Sequence, residues 1–246
     1  ALPASKPPDR FWQGLAERRE RHGFLVCFDE IVTGLGRTGN WFAANDLPLV
    51  PDVVATAKGL GAGYAAIGAT LCRQHVYDAV AAGSRSFPLG HTWNGAPLSC
   101  AVGVAVMDAL RREGLVEHVR ERGATLRHEL EDALRDVPIV REVRGYGFLL
   151  GVEYVDPRDG ESFLPPELGL AGKIDETALE HGLIALSTQP TRDGYAGDQS
   201  LFAPAFTASD DDLAEMVERF ANVVREVWSA VEGQLESEHP VSTVEG

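Results

Sequence analysis

Apolar and polar positions along this chain follow two different periods, and the switches between them mark its elements. From Phe11 to Arg21 apolar residues return at helical spacing. They lead into Phe24-Leu25-Val26-Cys27-Phe28, a continuous apolar run short enough for a buried parallel strand, which stops on two acids, Asp29 and Glu30. A second run, Asp52 to Ala57, is stopped by Lys58 and the glycines of KGLGAG. A third, Ile67 to Leu71, precedes a short helix over His75 to Ala82. Three strands with intervening segments predict an α/β sheet.

From Pro97 the character changes. Ser99 to Leu110 is small and apolar, and Glu113 to Leu134 is charged and amphipathic, as two consecutive helices would be. Ile139 to Val155 predicts strand, turn, strand, and Leu168 to His181 a helix. Short strands are expected over Leu183 to Leu186 and Leu201 to Phe206. Asp210 to Val231 predicts a helix with Ser209 as N-cap and acids in its first turn, and the polar tail after Gly233 is expected to fray. A boundary near residue 112 thus divides the chain into 1–112 and a smaller α+β domain, 113–246. No internal repeat is present.

Charge and cysteine count narrow the partners. With 37 acidic against 22 basic residues the net charge is −15, which argues against a nucleic-acid backbone or an anionic membrane surface. Cys27, Cys72 and Cys100 are too widely spaced for a disulfide framework or a metal clip and read as small apolar fillers. The histidines lack ligand spacing, so no metal is expected. No apolar run approaches the ~20 residues of a membrane span, and the chain is expected to be soluble and cytoplasmic. Its opening, ALPASKPPDR, has no initiator Met and reads as a passage from within a longer sequence.

Gly34-Leu35-Gly36-Arg37-Thr38-Gly39 has the spacing of a dinucleotide-binding turn. That turn works when its first glycine leaves a strand directly and its last opens a helix whose N-terminus receives the pyrophosphate. Here DEIVT separates the apolar run from Gly34, and Pro48 and Pro51 cut short any helix after Gly39. The glycines are read as shaping a loop. More telling is an acid, Asp29, at the end of one strand and an amine, Lys58, at the end of a later one, because ligands of open α/β sheets gather beyond the carboxyl ends of their strands. Such a pair suits pyridoxal phosphate, whose carbonyl condenses with a lysine and whose ring nitrogen pairs with an acid. A structural Lys–Asp ion pair is the alternative, and spacing does not decide between them.

The stretches FDEIVTGLGRTGNWFA, VPDVVATAKGLGAGYAAIGA and GHTWNGAPLSCA, in that order, resemble the class III (fold type I) pyridoxal phosphate-dependent aminotransferases, and the likeness continues through VRGYGFLLGVEY and APAFTASDDDL. The resemblance implies the later portion of the cofactor-binding large domain over 1–112 and the small C-terminal domain over 113–246. It implies that Lys58 is the Schiff-base lysine, Asp29 the partner of the pyridine nitrogen, and Ile31 the residue packed on the ring. Thr92 matches the threonine that reaches the cofactor phosphate of a neighbouring subunit, which implies a dimer with shared sites. The implied reaction is ping-pong transfer of an amino group from an amine or amino acid to a keto acid.

Two departures qualify that picture. Roughly the first half of a family member has no counterpart here, including a phosphate-holding loop, so a complementary N-terminal half is expected from another chain or from a longer form of this one; a non-catalytic subunit of such a complex is the alternative. The arginine that clamps an α-carboxylate is replaced near Leu201, and a glutamine by Val32, which leans toward the ω-amino acid and amine branch. Arg192 in the loop QPTRDGYAGD is a candidate carboxylate anchor, and Trp41 a candidate wall of the substrate pocket.

Overall fold

A computed structural model describes residues 4–87, 89–188 and 197–237. The chain divides into two compact units, one of residues 6–121 and one built mainly from residue 122 onward, the division falling within a single helix.

In the first unit, helix α1 (Asp9–His22) leads to strand β1 (Cys27–Asp29), which pairs in parallel with β2 (Val53–Thr56); β3 (Ala69–Cys72) lies antiparallel on the other side of β2. The helices α2 (Gln74–Ala82), α3 (Pro97–Arg112) and α4 (Leu115–Ala133) come next along the chain. The expected strand over Phe24 to Phe28 forms only at its end. Phe24 and Leu25 stand 38% and 57% exposed, since no neighbouring strand covers them. For the same reason the cysteines are not core fillers: all three are exposed, Cys27 on edge strand β1, Cys72 on edge strand β3 and Cys100 on α3.

What holds this unit is largely polar. Helix α1 buries no residue. It is tied down through Arg19, which donates to the Val50 carbonyl (2.8 Å) and to Asp52 (2.6 Å), and through Trp12, edge-on to Phe28 at 5.6 Å. Asp52, fully buried, also accepts from the Val26 amide (2.8 Å) and faces His75 Nε2 (3.1 Å). A buried carboxylate needs such a set of donors to offset its desolvation.

The second unit is a four-stranded antiparallel sheet, ordered β4 (Val140–Tyr146), β5 (Leu149–Tyr154), β7 (Gln199–Phe202), β6 (Leu186–Thr188), with α5 (Leu170–Glu180) and α6 (Asp210–Ser237). Here the apolar periodicity is satisfied. Leu126 and Leu130 on α4 with Leu134 just past its end, and Leu213, Val217, Phe220, Val224, Val227 and Val231 on α6, recur at three or four residues and are buried. Burying one such leucine is worth about 1.5–3 kcal/mol.

Three boundaries differ from the sequence reading. Helix α6 continues past Gly233 to Ser237, because Leu235 extends its buried stripe at 4% exposure. Strand β7 starts earlier than expected because Gln199 and Ser200 are buried but bonded, Gln199 to Arg144 (2.9 Å) and Ser200 to Tyr154 and Ser187 (2.9 and 2.7 Å). It ends before Pro204, which cannot donate to a neighbouring strand. Strand β6 forms over Leu186–Thr188 instead of 183–186, its register set by pairing with β7.

Candidate functional site

The parallel pair β1–β2 sets the site. Asp29 lies opposite Ala55 in the register, and the chain continues from there to Lys58, so the acid and the amine leave adjacent strands at their carboxyl ends. Asp29 is exposed and its Oδ1 accepts the Ile31 amide at 3.0 Å. Lys58 is exposed and opens a 3-10 turn, Lys58–Leu60, with φ of 41°, a left-handed conformation that a lysine seldom adopts. The ion pair weighed as an alternative does not form: Lys58 and Asp29 are not bonded to each other, and Lys58 has no ion-pair partner among the described residues. Strain at a side chain left unpaired is a feature that functional positions tend to retain.

Beyond Asp29 the chain enters the glycine loop. Gly34 donates to the Glu30 carbonyl (3.0 Å), Leu35 to Trp41 (2.6 Å) and Gly36 to Asn40 (3.1 Å), so the loop folds back on itself. Leu35, Gly36 and Gly39 have φ of 59°, 99° and 86°. A Cβ at Gly34 would lie 2.7 Å from the Glu30 oxygen, which fixes glycine there. The next element is a four-residue 3-10 turn, Ala43–Asp46, and no α-helix begins at Gly39, so the helix N-terminus that a dinucleotide fingerprint requires is absent from this stretch.

Sequence reasoning passed over Glu30. Successive side chains at a strand end point to opposite sides. While Asp29 is exposed, Glu30 is only 2% exposed, and it accepts from the Thr33 hydroxyl (2.6 Å) and from the amides of Ala43 (3.0 Å) and Ala44 (2.7 Å). The doubled acid in FDEIVT was the available signal.

The remaining candidates are spread over the first unit. Ile31 is half-buried beside Asp29. Trp41 is half-buried in the wall of an open cleft of about 410 Å³, shared with Asn40, Arg111 and Arg120, and the Arg111 guanidinium lies 5.8 Å from its ring centroid. Thr92 is exposed in the turn before α3 and does not cap that helix, whose N-cap is Ala96. Its neighbour His91 accepts the Trp93 amide on Nδ1 (3.1 Å). Arg192 lies outside the described residues. Among the described residues no group of histidines, cysteines and acids is arranged to hold a metal, and no helix is long and apolar enough to cross a membrane.

Comparison with known proteins matches this geometry to a family. The model of aminotransferase class-III matches residues 4–224. An uncharacterised aminotransferase of Bacillus subtilis, YodT, is 34% identical over 96% of this chain and 52% of its own length. The diaminobutyrate–2-oxoglutarate transaminase of Halomonas elongata is 32% identical over 94% of this chain and 49% of its own. Among solved structures, a thermostable (S)-enantioselective omega-transaminase from Thermomicrobium roseum superposes with a TM-score of 0.81 at 33% identity, covering 90% of this chain and 47% of that one. The chain spans about half the length of the curated relatives it matches. With an acid and an unpaired lysine at the ends of adjacent parallel strands, in an α/β fold shared with transaminases, this chain belongs to the class-III aminotransferase family.

Proposed function

We propose that the chain is part of a pyridoxal phosphate-dependent aminotransferase that moves an amino group from an amine or amino acid to a keto acid in two half-reactions. The observation that carries this reading is the pairing of Asp29 and Lys58 at the carboxyl ends of β1 and β2, with neither side chain neutralising the other. The donor set fits the cofactor. Oδ2 of Asp29 accepts no hydrogen bond among the described residues and suits a protonated ring nitrogen, and the Lys58 amine is without a partner and suits the aldehyde carbon.

When bound, pyridoxal phosphate supplies an electron sink that stabilises negative charge at the substrate carbon. Asp29 holds the proton on the ring nitrogen. Lys58 would hold the cofactor through its amine, and its Nζ, when free, would move a proton at the substrate carbon. Ile31 would pack against the cofactor ring, and Thr92 would donate its hydroxyl to the cofactor phosphate of a neighbouring subunit, which calls for a dimer with shared sites. The first unit is the later part of the cofactor domain, and a complementary N-terminal half completes it. The half-length coverage of the relatives and the two unpaired sheet edges support that completion. Leu201, half-buried on β7, offers no cation to an α-carboxylate, which with Val32 supports the ω-amino acid and amine branch. Arg192 is the proposed anchor for a substrate carboxylate and Trp41 a wall of the pocket.

The test is the visible spectrum of the purified chain with pyridoxal phosphate, alone and with the complementary half, before and after borohydride. The expected result is a cofactor band with the half present and label trapped on Lys58, lost in Lys58→Ala. A stable complex without a band sinks the catalytic reading and leaves a subunit that only stabilises its partner.

A further inference from the structure

The buried carboxylate of Glu30 has a structural position that its neighbour's role does not explain. Its two oxygens reach across the glycine loop from start to end: Oε2 accepts from Thr33, three residues on, and from the Ala43 amide, while Oε1 accepts from the Ala44 amide. The loop's own bonds, Leu35 to Trp41 and Gly36 to Asn40, close its middle and tip. Glu30 closes its base. The first residue of that loop is Ile31, whose amide donates to Oδ1 of Asp29 at 3.0 Å. The backbone of Glu30 is itself fixed, its amide on the Ala55 carbonyl (2.8 Å) and its carbonyl on Gly34 (3.0 Å). One side chain thus ties the end of β1 to the far limb of the loop, and the first residue between them is Ile31, whose amide donates to the Asp29 carboxylate.

We propose that Glu30 is a positioning residue: by clamping the base of the loop formed by residues 31–44, it fixes the Ile31 amide and through it the direction of the Asp29 carboxylate. This rests on the reading of Asp29 as the cofactor's partner. The chemistry of the clamp is specific to a carboxylate. Every bond to Glu30's side chain is one that it accepts, and both oxygens are used. An amide in the same place turns an NH2 group toward a backbone N–H, leaving buried donors without acceptors. An aspartate is shorter by one methylene and cannot span the same gap to the far limb.

The experiment uses the full chain and reads two quantities. The first needs no cofactor: amide hydrogen exchange in wild type, Glu30→Gln and Thr33→Val. In Glu30→Gln the Ala43, Ala44 and Ile31 amides are expected to exchange about tenfold faster, the loss of one charged hydrogen bond's worth of protection, while Val53–Thr56 in β2 is unchanged. Thr33→Val, which removes one of the bonds, gives a smaller change in the same amides. Unchanged exchange at Ile31 in Glu30→Gln overturns the proposal, and so does uniform acceleration that includes β2, because that reports global destabilisation. The second quantity is the affinity for pyridoxal phosphate in the chain with its complementary half, in a cycle of Glu30→Gln and Asp29→Asn. If Glu30 acts through Asp29, the double variant binds no worse than Asp29→Asn alone; two losses that multiply contradict the proposal. If Asp29→Asn leaves affinity unchanged, the cofactor reading fails, and the exchange at Ile31 still decides whether Glu30 sets that amide.

Discussion

Gly123 sits inside α4, where alanine is the better helix former by about 1 kcal/mol. Substitution by alanine is nevertheless expected to destabilise. A Cβ there would lie 2.5 Å from the backbone of Gly147, in the turn between β4 and β5, and backbone cannot step aside as a flexible side-chain end does. Overpacking of that kind costs about 1–3 kcal/mol, more than propensity returns. The check is chemical denaturation of Gly123→Ala beside a control such as Gly114→Asn, where φ is 64° and no atom lies near the added Cβ. A Gly123→Ala protein as stable as wild type would mean that α4 and the hairpin have room to separate. At this scale the sequence was readable in position: Asp29 and Lys58 stand at the ends of adjacent strands, as the apolar runs before them predicted. It was silent where the meaning depends on a distant partner. Gly123 in a helix and Gly147 in a turn look unrelated in sequence, and Glu30 looks like a second copy of Asp29 until its side chain is seen to turn inward.

Helix α6 shows an element specified at its ends as well as along its face. Ser209 accepts the Asp212 amide on its hydroxyl (3.2 Å), and Asp212 accepts the Ser209 amide (2.9 Å) and hydroxyl (2.6 Å), a reciprocal cap that satisfies donors the first turn leaves open. Those bonds from Ser209 hold the Asp212 carboxyl below its ordinary value. Elsewhere in the same unit Ser162 and the amides of Glu161 and Ser162 bring Asp159 to about 2, and Asp136 and Asp156 are lowered mainly by hydrogen bonds from Arg225 and Arg158. Because these acids bind protons less readily folded than unfolded, their contribution is present above the ordinary carboxyl value of 3.8 and is lost as pH falls through each folded value, which for Asp159 is about 2. Asp198 is raised by burial and works in the opposite sense, losing its contribution as pH rises through its folded value. The melting temperature of the second unit is therefore expected to fall between pH 4 and about 2. Ser209→Ala is expected to lower stability at neutral pH by about 1 kcal/mol and to flatten that acid slope. A slope unchanged by the substitution would remove the cap from the account. The cap was legible from SDDD before an apolar stripe, whereas the true end of α6 was not, because Leu235 reads as part of a polar tail until its burial extends the stripe.

At the scale of the whole chain the two units differ in how well each satisfies its own apolar surface. The second buries Leu126, Leu130, Ile139, Phe148, Leu150, Leu170, Ile174, Leu213 and Phe220 completely, with Phe202 packed edge-on to Phe220 at 4.9 Å. The first leaves Tyr64, Phe87, Leu89, Trp93 and Leu98 at least 74% exposed and presents both edges of a three-stranded sheet. Natural edges are usually guarded by charge, proline or a covering element. Cys27-Phe28 on β1 and Ala69-Thr70-Leu71-Cys72 on β3 carry no such guard, which is how strands with neighbours on both sides are written. This is also why the apolar runs predicted three strands correctly while mistaking the cysteines for core: the pattern is that of strands covered on both sides, and Cys27 and Cys72 stand on the two edges. The cysteines turn that argument into a measurement. In the chain alone Cys27, Cys72 and Cys100 are exposed, and all three are expected to react with a thiol reagent at rates near that of a free peptide. On mixing with the complementary half proposed above, Cys27 and Cys72 are expected to slow by at least about tenfold, since strands added at both edges would bury them and a reagent would then wait for local opening. Protection of Cys27 alone would mean that the partner adds a strand only beside β1, and protection of Cys72 alone only beside β3. Unchanged rates at both, in a mixture shown to form a stable complex, would mean that the partner docks elsewhere and that the open sheet is not where the two halves meet.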